Sequence, residues 1–220
     1  RALGQFPTEG EDTLIPLAWI EAAMSRWEEV PEGEPVEMGV DVARFGSDKT
    51  VITTRRGRKV LPLKIFSKLD TMETVGHVIS EQREAKASTI KVDVIGMGAG
   101  VVDRLKEQDY PVIGINVAEA ATDNEKFTNL RSELWWNLRE RLDPNPKINP
   151  EPIALPQDDE LLADLSGIKY KIDSRGRIQV ESKEDMKKRL GRSPDYGDAV
   201  VLAFAPVKTF DSGLVGLLRG

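Results

Sequence analysis

Four aspartates carry the chemistry that this sequence can offer. Asp41 lies in V-E-M-G-V-D-V-A, Asp93 in T-I-K-V-D-V-I, and Asp195 and Asp198 in S-P-D-Y-G-D-A-V-V-L-A-F-A. The first two sit between valines, as a carboxylate does at the end or on one face of a β-strand. Aspartate is a poor strand former, so its presence there calls for a reason. Taken alone, Asp41 could cap its strand or pair with Arg44. Carboxylates on three separate buried segments are another matter, because like charges in a low dielectric repel unless a cation neutralises them. A hard divalent metal is the simplest such cation.

Composition narrows the metal chemistry further. The chain has no cysteine and one histidine, which excludes disulfides, thiolate sites and histidine-rich zinc sites, so any metal must sit on oxygen. Its 220 residues, 40% of them hydrophobic, suffice for one good-sized core. No apolar run approaches a membrane span and the first residues do not resemble a signal peptide, which reads as a soluble, cytoplasmic protein. A start at Arg1 rather than methionine suggests an excised fragment or a processed product. The formal net charge of −6 argues against nucleic acid as a partner only on average, since clustering of cations on one face is what matters. Local basic groups occur at Arg55-Arg56-Gly57-Arg58-Lys59, at Lys169 and Lys171, at Arg175 and Arg177, and at Lys187-Lys188-Arg189 with Arg192. Each also reads as an ordinary solvated turn or helix face.

The elements that must position the aspartates follow from pattern. Residues 1–35 read as a lead-in, with a helix over Leu17 to Trp27 after Ile15-Pro16 and a linker at Glu32-Gly33-Glu34-Pro35. The Asp41 strand and a β-branched strand at Thr50 to Thr54 form a hairpin, with Asp48 as a turn residue. Val60 to Phe66 is a third strand, with Pro62 placing it at an edge or bulge. Asp70 caps a helix over Thr71 to Ala85, in which His77 is a surface or boundary residue. The Asp93 strand runs into Gly96-Met97-Gly98-Ala99-Gly100. The full dinucleotide fingerprint is not met, so these glycines are read as letting the chain leave the strand tightly beside a crowded acidic site. A helix over Val101 to Gln108 and a strand over Val112 to Val117 complete a β-α-β unit. Helices are expected over Asn124 to Leu142 and Gln157 to Ser166, with Trp135 and Trp136 as packing residues. A second, basic hairpin joins Gly167–Asp173 to Arg177–Glu181. Ser182 opens a short helix by a capping box, and Ser193 caps the last helix so that Asp195 and Asp198 fall about one turn apart. Residues 207–220 read as a tail.

This order of elements resembles the RNase H-like nuclease fold: an α/β domain whose central mixed sheet, three antiparallel strands and then parallel ones, is flanked by helices and carries an extra β-hairpin. Within that fold it resembles the nuclease domain of the large terminase subunit of tailed bacteriophages, over residues 36–206. The segments that carry the resemblance are G-V-D-V-A-R-F-G-S-D-K-T, V-D-V-I-G-M-G-A-G-V-V-D-R-L and K-K-R-L-G-R-S-P-D-Y-G-D-A-V-V-L-A. The lead-in G-Q-F-P, followed by I-P and a helix, is similar to the junction after a terminase ATPase domain.

The resemblance implies endonucleolytic hydrolysis of concatemeric double-stranded DNA with two Mg²⁺ or Mn²⁺ ions about 4 Å apart. Asp41, Asp93 and Asp198 would be the catalytic, metal-binding acids, and Asp195 a further metal ligand, direct or through water. Lys169, Lys171, Arg175, Arg177, Lys187, Lys188, Arg189 and Arg192 would contact DNA phosphates in a salt-sensitive, largely sequence-independent way. An ATPase domain, a portal protein and a small terminase subunit are the implied partners, and the cytoplasm of the infected bacterial host the implied location. The chain holds no G-x-x-x-x-G-K-[ST], so by itself it is not expected to hydrolyse ATP. Two alternatives stay open: a Holliday-junction resolvase, which junction-specific cutting would reveal, and a docking module of a packaging motor with structural acids, which would not nick plasmid. A sugar-kinase or actin-like ATPase lacks support, because the glycine pair and second phosphate loop it needs are missing.

Overall fold

The computed structural model describes residues 12–43 and 48–206. The expected lead-in residues 1–11, the loop residues 44–47 and the expected tail 207–220 lie outside the described residues. Pro16 opens α1 (Leu17–Ser25), which buries Ile20, Ala23 and Met24 beside Leu14 and Ile15. β1 (Val36–Asp41) pairs antiparallel with β2 (Thr50–Arg56), Asp41 opposite Val51. The expected third strand is broken in two, β3 (Lys59–Val60) and β4 (Lys64–Phe66), both on β2. Pro62 lies at the break and has no N–H for a ladder. α2 (Thr71–Ala85) begins with the Asp70–Glu73 capping box, and His77 stacks on Phe66.

β5 (Thr89–Asp93), α3 (Gly98–Glu107) and β6 (Val112–Ile115) form the expected β-α-β unit, with β5 parallel to both β1 and β6. α4 (Leu130–Leu142) starts later than periodicity suggests. Asn129 accepts the Ser132 N–H as its cap, and Phe127, read as helical, forms an isolated bridge with Ile178 instead. α5 (Asp159–Gly167), the hairpin β7 (Tyr170–Ile172) and β8 (Ile178–Val180), α6 (Lys183–Leu190) and α7 (Asp195–Ala203) complete the chain. The main sheet runs β3-β2-β1-β5-β6 with β4 also on β2. Among the described residues no helix is long and apolar enough to cross a membrane.

The period of two along the central strands sorts their residues between two layers. Val36, Met38 and Val40 of β1, with Ile90 and Val92 of β5, join an apolar cluster with Val75 and Val78 of α2 and Val101 and Leu105 of α3. The intervening Glu37, Gly39 and Asp41 of β1, and Lys91 and Asp93 of β5, face the other layer, where α7 lies against the sheet. α7 comes so close that a Cβ on Gly39 would sit 2.1 Å from the Ala199 carbonyl oxygen and 2.4 Å from the Ala203 nitrogen. Behind α7 a larger apolar cluster gathers α1, α4 and α5, including Leu14, Ile20, Trp135, Leu138 and Leu161.

Buried charge holds the far end of α7. The Ala203 carbonyl accepts from Arg55 Nε at 2.8 Å and Lys91 Nζ at 3.2 Å, and both cations also pair with Glu37. Cations at a helix C-terminus suit its dipole, so this end of α7 is pinned to β1, β2 and β5 together.

Candidate functional site

Three elements bring four carboxylates to one place. Asp41 ends β1, Asp93 ends β5, and Asp195 and Asp198 occupy the first turn of α7. Because α7 runs antiparallel to β1, with Ala203 beside Glu37, its first turn falls at the Asp41 end of the strand. The exit from β5 is as tight as the glycines suggest, since a Cβ on Gly98 would lie 1.7 Å from the Asp93 carbonyl oxygen.

At the centre of the acids stands a cation that the sequence does not announce. Lys183, the first residue of α6, places Nζ 2.8 Å from Asp41 Oδ2, 2.9 Å from Asp195 Oδ1 and 3.7 Å from Asp198 Oδ2. The other oxygens are held by separate donors. Asp198 Oδ1 accepts from Arg131 Nη1 at 2.7 Å and from Trp135 Nε1 at 3.0 Å, while Asp195 Oδ2 accepts from the Lys49 backbone N–H at 2.8 Å. Asp93 Oδ1 accepts from the Ile95 N–H, and its side chain lines, with Asp198, Arg131 and Trp135, a cavity of about 10 Å³. That is room for about one water.

The electrostatics follow from this crowding. Burial pushes Asp41 up to about 8; the Lys183 ammonium opposes the shift, and the Asp198 and Asp195 carboxylates add to it. Burial also raises Asp93, against its bond from Ile95. Burial alone would lower Lys183, but Asp41, Asp198 and Asp195 outweigh it and hold the ammonium above the ordinary lysine range.

The donor set fits a hard divalent cation. Among the described residues no three acids stand as ready ligands of one ion, because the carboxylates are drawn around the ammonium instead. Asp195 Oδ1 is buried and meets no donor except that ammonium. Three carboxylate oxygens from two elements therefore already converge on a single positive charge, and a metal ion in its place would meet oxygen ligands.

The expected DNA-contacting cations are mostly engaged. Lys169 pairs with Asp12, Arg177 with Asp173, Lys187 with Asp48, Arg189 with Glu181, and Arg192 with both Glu160 and Asp164. Lys188 stands 3.7 Å from Asp185 on an exposed face. Lys171 and Arg175 project from the β7–β8 hairpin, exposed and with no ion pair among the described residues. Asp48, read as a turn residue, also accepts from Ser193 Oγ at 3.2 Å; against burial, Lys187 and Ser193 hold it below the ordinary carboxylate range. Ser193 is thus not the cap of α7, contrary to expectation.

Sequence reasoning missed Lys183, Arg131 and Trp135 as members of the site. The Ser182 cap correctly starts α6 at Lys183 but says nothing of its partners. Arg131 and Trp135 are four residues apart and so share a face of α4, which marks a common target without naming it.

No family model matches the chain. It is 26% identical over 214 residues to the "Probable terminase, large subunit" of Enterobacteria phage P7, an alignment covering 91% of this chain and 42% of that protein. The chain thus spans less than half the length of the curated relative it matches. The nuclease domain of the large terminase subunit gp2 of bacterial virus Sf6 superposes with a TM-score of 0.76 at 21% identity, covering 89% of this chain and all of that one. The fold is that of a large-terminase nuclease domain. The terminase nuclease of thermophilic phage G20c, solved with bound magnesium, shares it at a TM-score of 0.64 and 14% identity, over 89% of this chain and 97% of its own. A K428A mutant of the Sf6 terminase domain has been solved with calcium and superposes at 0.77. The mixed sheet flanked by helices, with its extra hairpin, is therefore the RNase H-like arrangement of the terminase nucleases.

Proposed function

We propose that this chain is the metal-dependent endonuclease domain of a viral DNA-packaging terminase, cutting concatemeric double-stranded DNA by phosphodiester hydrolysis. The observation that carries this reading is the convergence of Asp41, Asp195 and Asp198 on one cation, with Asp93 beside them. Asp41, Asp93, Asp195 and Asp198 would hold Mg²⁺ or Mn²⁺, two ions when DNA is bound; such ions activate a water and stabilise the leaving oxygen. Arg131 and Trp135 fix one oxygen of Asp198, which leaves Oδ2 directed at the cation. Without metal, the Lys183 ammonium balances the acids and keeps them packed together. No serine or histidine nucleophile is required, because attack comes from water.

Double-stranded DNA is the substrate in this reading, with Lys171 and Arg175 at its approach and the paired cations of β7, β8 and α6 able to exchange carboxylates for phosphates. An ATPase domain in the full-length protein, a portal protein and a small terminase subunit are the proposed partners, and the host cytoplasm the proposed location. The relative from phage P7 and the solved Sf6 and G20c domains support the reading.

Nicking of supercoiled plasmid with Mn²⁺ tests it. Asp41→Asn, Asp93→Asn and Asp198→Asn should each abolish cleavage while circular dichroism stays unchanged. Cleavage persisting in all three variants would reject the assignment.

A further inference from the structure

α7 carries two of the four acids, yet its own N-terminus supplies no cap. Pro194 stands at the N-cap position with no side-chain hydrogen bond, and Ser193 turns to Asp48 instead. A helix starting at Asp195 leaves the N–H groups of its next two residues without partners, and these are the ones an N-cap side chain normally satisfies. Asp164 of α5 fills that place from outside. It is completely buried, and its Oδ2 accepts from the Tyr196 N–H at 3.0 Å and the Gly197 N–H at 3.3 Å. Its Oδ1 lies 2.9 Å from Arg192 Nη2, so the charge is balanced on the side away from the helix. The fit leaves no slack: a Cβ on Gly197 would stand 2.6 Å from the Trp135 ring and 3.5 Å from Asp164 Cβ. Trp135 is also the residue whose indole N–H holds Asp198.

We infer that Asp164 is a positioning residue for the metal centre, a remote N-cap that sets the first turn of α7 and thereby the direction of Asp195 and Asp198. The hydrogen bonds fix the turn bearing both acids, so the loss of Asp164 weakens cation binding through geometry. Arg192, proposed on sequence grounds as a DNA contact, is by this inference the partner that holds the other oxygen of Asp164 and so orients its carboxyl group toward the helix. The inference rests on the reading of Asp195 and Asp198 as metal ligands.

Binding of Mn²⁺ in the absence of DNA, followed by the electron paramagnetic resonance signal of the free ion, tests it. Asp164→Ala should weaken Mn²⁺ binding about tenfold, the scale of a lost cap. Asp164→Asn, whose amide oxygen still accepts both N–H bonds, should recover most of that loss. Val75→Ala, on the opposite face of the sheet, lowers the melting temperature without touching α7 and should leave Mn²⁺ binding unchanged. The inference is overturned if Asp164→Ala binds Mn²⁺ as the parent does, or if Val75→Ala weakens binding equally. Should the parent protein itself bind no Mn²⁺, the metal-centre reading fails first and takes this inference with it, an outcome distinct from parent and variant binding alike.

Discussion

A buried carboxylate raised by its surroundings is a proton the folded chain holds and the unfolded chain has already released. Burial takes Asp41 up to about 8 and Asp164 up to about 7, and raises Asp93 as well. Groups raised in the folded state give their stability in full below the unfolded value near 3.8, and lose it as pH rises through the folded values. The melting temperature of the chelator-treated protein should therefore fall from about pH 5 to about pH 9. Saturating Mn²⁺, if it is held by the ionised acids as proposed, should flatten that fall, and Asp41→Asn should remove part of it. Scanning calorimetry across this span decides the matter, and a melting temperature that climbs with pH would contradict the burial described. At this scale Asp41 and Asp93 are legible in sequence because valines on both sides show a strand and the acid disobeys its preference. Lys183 is not, since a lysine opening a helix after a Ser cap is the most ordinary of surface residues. Its meaning comes from Asp41, far away in the chain and next to it in space.

Among the elements, the decisive contact is backbone on backbone between β1 and α7. Gly39 is where they meet, and no side chain fits there without moving the helix that carries Asp195 and Asp198. Gly39→Ala should destabilise the domain by about 4 kcal/mol or more, the range of severe core overpacking, and shift its urea midpoint accordingly. Gly76→Ala on α2, where an added Cβ meets nothing, should be neutral or slightly stabilising, as expected for a helix interior. Equal midpoints for the two variants would show that α7 can step back from the sheet. Most elements here can be read from periodicity and capping residues: α2 begins at Asp70 and α6 at Ser182 as their local signals require. The third strand breaks at Pro62 for a local reason, but two other failures share one cause. Phe127 leaves the α4 pattern to bridge Ile178, and Ser193 gives up its capping place to Asp164, so in both cases a distant partner outweighs a local preference.

On the scale of the whole molecule the sheet separates the acids from the apolar layer under α2 and α3, and the β7–β8 hairpin is a second, two-stranded sheet packed on the larger apolar cluster through Ile178 and Val180. A chain of net charge −6 that is to approach a polyanion needs its cations where the substrate passes, and the hairpin offers two kinds. Lys169 and Arg177 are tied to Asp12 and Asp173, whereas Lys171 and Arg175 are exposed without such partners among the described residues. Solvent-screened ion pairs hold weakly, so the tied cations can change partner, but the free ones contribute without that exchange. Lys171→Ala with Arg175→Ala should leave the melting temperature nearly unchanged, as exposed substitutions do. The same pair should weaken duplex binding at moderate salt, and the slope of log affinity against log salt should shrink by about 2 if both cations neutralise phosphates. Adding Lys169→Ala and Arg177→Ala should deepen the loss of binding and also lower the melting temperature, because the anchors to Asp12 and Asp173 go with them. Unchanged binding and cleavage by the quadruple variant at low salt would make this an ordinary solvated hairpin and leave other cations, such as those of α6, to meet the DNA.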